Sequence, residues 1–259
     1  MKCQKSGSEE GQHKKGYTES GSQRMFCNIC KNKYTPNPKS RAYNEEVRKQ
    51  ALRLLALGNT GRGVGKALNM NKANAYRWAR EEVKKLESLW ISPETHLDGF
   101  ELDEFFWFTN GRKGHENGIN TYIMTMVSRE PRQIVAFEVD NSIRSEYLQA
   151  MVNRLPAARN YYTDGGVAYL DVIFGGAHRR NIHNKSDTHI IEGSNADIRH
   201  YIAGLRRKSR CFFRSLETLR ALLTLFIDAY NQFGAAKHAY KMRHPDFGRD
   251  FPFNHLQFI

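Results

Sequence analysis

The chain has no apolar run approaching the ~20 residues of a membrane-spanning helix. It also has no charged, then apolar, then small-residue start of the kind that marks a secretory signal. An embedded or exported protein is therefore not expected, and the simplest compartment is the prokaryotic cytoplasm, at the nucleoid. Acidic residues are scarce where basic ones abound. Residues 1–90 hold 19 Lys or Arg against 8 Asp or Glu, whereas the remaining 169 hold 21 against 19. Nearly all of the formal charge of +13 thus sits in the first third. Such a surplus favours a polyanionic partner bound through counterion release, and double-stranded DNA is the expectation. Cysteine is sparse as well, with only Cys3, Cys27, Cys30 and Cys211. Three of these gather near the N-terminus around a Cys-x-x-Cys pair, which argues for metal ahead of disulfides in a chain without a signal.

At 259 residues, 40% hydrophobic and 12% aromatic, the chain is long and apolar enough for one good core plus an accessory domain. Residues 1–40 are polar and rich in Gly, Ser and Lys, too poor in apolar residues to fold unaided. A small zinc-ribbon-like segment with Cys3, Cys27 and Cys30 as Zn²⁺ ligands would tie them down. Its first knuckle carries Ser6 where a second cysteine is expected, so His13 or a water would complete the site. The alternative is a disordered basic arm with reduced thiols.

Residues 41–92 read as a helix-turn-helix. Val47, Ala51, Leu54 and Leu55 recur at helical spacing, and Gly58-Asn59 ends that helix. A short helix follows through Val64 and Leu68, and a third starts near Asn71 and runs through Tyr76 and Trp78. The last would enter the major groove, with Asn71, Lys72, Asn74, Tyr76 and Arg77 as its groove-facing candidates. Gly61, Gly63 and Gly65 fit no nucleotide-binding spacing, because no Lys-Ser/Thr follows them.

From residue 93 the pattern turns to an α/β (α+β) domain. Residues 100–108, 121–127 and 133–139 are rich in β-branched and aromatic residues between turn signals, the mark of an antiparallel meander. A helix over 142–155, a strand over 160–163, a short helix through Tyr169 and Ile173 and a strand near 180–183 follow. Helices over 190–206 and 216–230 complete the chain. Three antiparallel strands and then alternating helix and strand is the order of a ribonuclease H-like catalytic domain.

Three acids sit where that order matters. Asp103 is mid-strand, Asp164 ends the fourth strand before Gly165-Gly166, and Glu192 lies at the margin of the buried face of a late helix. Phosphodiester chemistry with two divalent ions needs a few hard carboxylate ligands brought to one place. Asp103, Asp164 and Glu192 are thus the candidate catalytic residues and the ligands of two Mg²⁺ ions, and Glu101 and Glu104 read as bystanders. Cys211 reads as a packed residue without an evident base. His178, His183 and His189 are candidates for proton or phosphate contacts, with surface roles equally open.

The residues around these acids resemble a family. The block from Thr188-His189-Ile190-Ile191-Glu192 through Asn195 and Arg199, with Leu205-Arg206-Arg207-Lys208-Ser209 beyond it, is similar to that of DDE-class insertion-sequence transposases. The insertion-sequence-one family is the nearest in pattern. Tyr162-Thr163-Asp164-Gly165 resembles its second acidic motif, and Leu102-Asp103-Glu104 with Trp107 its first. The resemblance implies a DNA transposase that binds terminal repeats and catalyses Mg²⁺-dependent 3′-end cleavage and strand transfer. It further implies that Asn195 and Arg199 position DNA or the glutamate, that Arg206, Arg207, Lys208 and Arg210 hold phosphates, and that the protein works as an oligomer on DNA. Gly193 stands where the family usually has an arginine. Two alternatives stay open: a transposase-derived DNA-binding regulator without catalysis, and a structure-selective nuclease of the same fold.

Overall fold

The computed structural model describes residues 2–38, 43–86, 98–111, 116–130, 132–181, 187–206 and 211–243. They form two compact units, Met1–Glu45 and Glu46–Ile259.

The first unit is an antiparallel sheet in the order β1-β2-β3, built from β1 (Gln12–Tyr17), β2 (Gln23–Cys27) and β3 (Lys33–Tyr34). Its apolar centre consists of Cys3, Met25, Cys27 and Tyr34, with Cys30 packed against them. That is a very small core, as the polar composition implies.

The second unit opens with three helices, α1 (Glu45–Ala56), α2 (Gly61–Ala67) and α3 (Lys72–Leu86). α1 stops where the sequence says it should. Gly58 adopts φ +80°, its N–H reaches Leu55 O at 2.8 Å, and Asn59 N reaches Leu54 O at 3.0 Å. This is the paired Schellman closure. α2 starts at the Thr60 N-cap, whose side chain accepts from Gly63 N at 3.1 Å. Gly61 is required because a Cβ there would come within 2.5 Å of the Tyr76 ring. Gly65 is similarly confined, since a Cβ there would lie 2.8 Å from Met70 O.

A five-stranded mixed sheet follows in the order β6-β5-β4-β7-β8. Its strands are β4 (Gly99–Thr109), β5 (Ile119–Ser128), β6 (Ile134–Asp140), β7 (Asn160–Thr163) and β8 (Ala177–Arg180). β4, β5 and β6 pair antiparallel, whereas β7 runs parallel to both β4 and β8. Alternation along β4 divides its side chains between two cores. Phe100 and Leu102 join Met124, Met126 and residues of α4 (Ser145–Asn153) on one face. Phe105 joins Ile123, α5 (His189–Tyr201) and α6 (Leu216–Arg243) on the other. The second core also takes in Leu52, Leu55, Trp78 and Val83, so the three N-terminal helices share it.

Four expected elements differ. The helix expected through Tyr169 and Ile173 is a single 3-10 turn, Val167–Tyr169, and Ile173 is 80% exposed. With no partner for its apolar side chain, the turn does not propagate. The strand expected near 180–183 is Ala177–Arg180, because it can pair only as far as β7 lasts, at Thr163↔Arg180. The helix expected over 190–206 ends at Tyr201, where Ile202 turns extended (ψ 109°) and Ala203 N binds Gly58 O at 3.2 Å. α6 runs past residue 230 to Arg243.

Candidate active site

Register brings the first two acids together. In the parallel pair, Leu102 stands opposite Thr163, so the next residues along, Asp103 and Asp164, are neighbours at the end of β7. Asp164 is held by its own turn, its Oδ1 accepting from Gly166 N at 2.8 Å. The third acid arrives on α5. Asn195, one turn after Glu192 on the same helix face, donates from Nδ2 to Asp103 Oδ2 at 3.0 Å. Asn195 Oδ1 accepts from Thr125 Oγ1 at 2.8 Å. A buried asparagine thus ties α5 to β4 and β5 and sets Glu192 beside the strand acids.

The electrostatics fit that geometry. Burial pushes the Asp103 carboxyl above its ordinary value against the bond from Asn195, and the charges of Asp164 and Glu192 push it further. Among the described residues, only Cys3, Cys27 and Cys30 bring three ligand atoms within 4.8 Å of one another. Carboxylates carried on adjacent elements are hard oxygen donors of the kind divalent ions take. The mutual repulsion at Asp103 is what such ions would relieve, so the donor set fits hard divalent cations.

Glu101 and Glu104, bystanders by sequence, have defined work. Glu101 is fully buried and its Oε2 accepts from Ile191 N at 2.8 Å, satisfying an N–H in the first turn of α5. Its other oxygen lies 3.4 Å from Arg129 Nε. Glu104 projects to the opposite face, where the buried Tyr169 hydroxyl donates to its Oε2 at 2.6 Å. Burial raises the Glu104 carboxyl, and the Asp164 and Asp103 charges add to this. Burial, then the Glu104 charge, holds the Tyr169 phenol well above its usual value. The Tyr169 ring lies 3.1 Å from where a Cβ on Gly166 would sit, so the Glu104–Tyr169 pair backs the turn that aims Asp164. In sequence the two glutamates looked like solvent-facing acids because period-2 alternation cannot show that both faces of β4 are covered.

The basic candidates are dispersed. Arg199 folds onto its own helix, with Nε 3.2 Å from Asn195 O and its guanidinium 5.2 Å above the Phe105 ring. Arg206 is exposed and bonds His200 O at 2.6 Å. Arg207, Lys208 and Arg210 lie outside the described residues, as does His183. Asn71 caps α3, its Oδ1 accepting from Ala73 N at 2.9 Å. Lys72 and Arg77 are exposed, Arg77 3.9 Å from Glu81, and Asn74 is half-buried. Tyr76 is also half-buried, its hydroxyl accepting from Gly61 N at 2.9 Å. His178 is occupied by Thr163 Oγ1 at 2.9 Å. Cys211 is exposed, which corrects its reading as a packed residue.

The cysteine cluster is a second candidate site, in the first unit. Cys3 and Cys27 are buried, and the Cys3 and Cys30 sulfurs lie 3.6 Å apart. Hydrogen bonds from the Ser6 hydroxyl and the Cys30 N–H draw the Cys27 thiol down to about 6. Three converging sulfurs fit a thiophilic cation such as Zn²⁺. His13 stands opposite Phe26, one residue on from the Gln12–Cys27 pair, and so faces away from the cluster.

No protein-family model matches the sequence, and no curated protein does. Solved structures show a loose likeness. The catalytic domain of Mos1 mariner transposase has a TM-score of 0.37 at 10% identity, over 79% of this chain and 92% of that one. A Mos1 transposase paired-end complex with left transposon end has a TM-score of 0.35 at 12% identity, over 82% and 78%. Among the described residues, no helix is long and apolar enough to cross a membrane.

Proposed function

We propose that the chain is a DNA transposase of the DDE class that cleaves and joins DNA 3′ ends with Mg²⁺. The single observation that carries this reading is the meeting of Asp103, Asp164 and the Asn195-anchored helix of Glu192 on adjacent elements. The strand order 3-2-1-4-5, with three antiparallel strands and then two parallel ones, supports a ribonuclease H-like catalytic domain over residues 93–259. Residues 41–92 would form the helix-turn-helix reader, and residues 1–40 a Zn²⁺-held ribbon. The motif block around Glu192 supports the insertion-sequence-one family as the nearest relation.

In this reading Asp103, Asp164 and Glu192 are the ligands of two Mg²⁺ ions. Bound there, such ions supply an activated nucleophile and stabilise the leaving oxygen. The protein's own residues hold the ligands in place. Asn195 keeps Asp103 oriented, Glu101 fixes the first turn of α5, and Tyr169 with Glu104 steadies the Asp164 turn. Arg206, Arg207 and Lys208 would grip phosphates near the site, with Arg199 braced against Phe105 to aim Asn195. Lys72 and Arg77 are exposed cations of the first turns of α3, and with Asn71 and Asn74 they would face the groove; Tyr76 would hold α3 against α2. Synapsis of two DNA ends would require at least a dimer.

A strand-transfer assay with DNA carrying the element's ends and Mg²⁺ separates the readings. Joined product that disappears in Asp164→Asn is the expected result. Cutting without joining would instead support a nuclease, and binding without cutting a regulator.

A further inference from the structure

The first unit contains a repeat that the sequence only half displays. Cys3 and Cys27 each open a four-residue turn. Residues 4–6 and 28–30 form matching turns, in which the N–H groups of Lys5 and Ser6 draw the Cys3 thiol down as those of Ile29 and Cys30 do at Cys27. Each turn is followed by a residue at positive φ, Gly7 at +71° and Lys31 at +56°. A lysine adopts that conformation only where its surroundings over-determine it, so the turn dictates the backbone in both copies. Matched in this way, Ser6 takes the position of Cys30.

The side chains obey the same symmetry. Cys30 Sγ lies 3.6 Å from Cys3 Sγ, and Ser6 Oγ lies 3.4 Å from Cys27 Sγ. The Ser6 hydroxyl also lowers the Cys3 thiol. The other candidate is turned away, since His13 pairs with Phe26, its ring centroid 5.1 Å from the Phe26 ring. Gln12, which does face the cluster, is committed: its Nε2 donates to Cys27 Sγ at 3.2 Å while its Oε1 accepts from the Tyr34 hydroxyl at 2.9 Å.

We infer that Ser6 Oγ is the fourth corner of the cysteine site, giving three sulfurs and one oxygen around a Zn²⁺-type ion. This rests on the reading of the cluster as a metal centre. On binding, the three thiols release their protons while the serine hydroxyl coordinates as a neutral donor, so the loaded site carries one net negative charge. An oxygen corner is a weaker partner for a thiophilic ion than a thiolate. The ion is therefore held less firmly than in a four-cysteine knuckle. Because the sheet has so few buried residues of its own, loss of the ion loosens the whole unit.

The test is a Co²⁺ titration of the full chain, read by thiolate-to-metal charge transfer and by the ligand-field bands. The native protein should show charge transfer that Cys27→Ser diminishes. Ser6→Cys should shift the ligand-field bands to longer wavelength, towards an all-thiolate site, and tighten binding by roughly tenfold or more. Ser6→Ala should weaken binding and alter those bands, whereas His13→Ala should superimpose on the native spectrum. Altered bands in His13→Ala, or a Ser6→Cys protein unchanged in both spectrum and affinity, would overturn the serine assignment while leaving the metal centre standing. Absence of charge transfer in the native protein would instead remove the metal centre itself. Ser6→Cys changes a single atom, so the outcome stays readable even where Ser6→Ala fails to fold.

Discussion

At the scale of single residues, the site gathers carboxylates that burial makes costly to ionise. Asp103, Glu104 and Glu101 all have folded-state carboxyls raised chiefly by burial. Raised carboxyls stabilise the fold below their unfolded values of about 4, and that contribution is lost as pH rises through the folded values. Metal-free protein should therefore lose melting temperature as pH rises above about 4, and Asp103→Asn should flatten that loss. Calorimetry with and without Mg²⁺ checks both points, since the ion should restore more stability at the higher pH. A melting temperature that rises with pH equally in the native and Asp103→Asn proteins would contradict this. Glu104→Gln and Tyr169→Phe should each raise the Mg²⁺ concentration needed for half-maximal cleavage while leaving the fold intact. An unchanged Mg²⁺ requirement in both would return Glu104 to the bystander role its sequence context suggested. Asp103 and Asp164 were legible as candidates because acids in apolar or turn-forming strands are conspicuous. Glu101 was not, because only the approach of α5 turns a strand-borne acid into a helix cap.

At the scale of elements, the long-range ties set the geometry. Gly58 closes α1 at φ +80°, and a Cβ there would lie 1.7 Å from Tyr201 O at the end of α5. Gly58→Ala thus combines backbone strain with a backbone clash, and should destabilise the second unit by about 2 kcal/mol or more in denaturant titration. A change within about 0.5 kcal/mol would show that the two helix ends are not locked together. Glu101→Ala should cost about 2–4 kcal/mol, since it strands a buried Ile191 N–H and unpairs Arg129. Periodicity foretold α1–α3 and the meander because their apolar spacing is local. It misread the ends of the late elements for a physical reason: β8 stops where β7 stops, and α5 stops where Ala203 meets Gly58. Both limits are set by partners remote in sequence.

At the scale of the whole molecule, the basic surplus and the candidate acids are divided along the chain. The first 90 residues carry most of the positive surplus, so deleting residues 1–40 should lower DNA affinity and reduce the steepness of its salt dependence. An unchanged salt slope would mean that the cations of residues 1–40 do not meet phosphate. The strand order 3-2-1-4-5 was legible in outline, since three meander strands before a helix leave few topologies open. That the three N-terminal helices share the core of α5 and α6 was not legible, because their apolar faces read equally well as a bundle closed on itself. The acid trio is the point on which the whole reading turns. Its most direct test is Mg²⁺-dependent 3′-end cleavage of DNA bearing the element's ends by Asp103→Asn, Asp164→Asn and Glu192→Gln proteins, each checked for native melting. The prediction is a loss of about 10²-fold or more for each substitution, with DNA binding retained; full cleavage by any one of the three would contradict it.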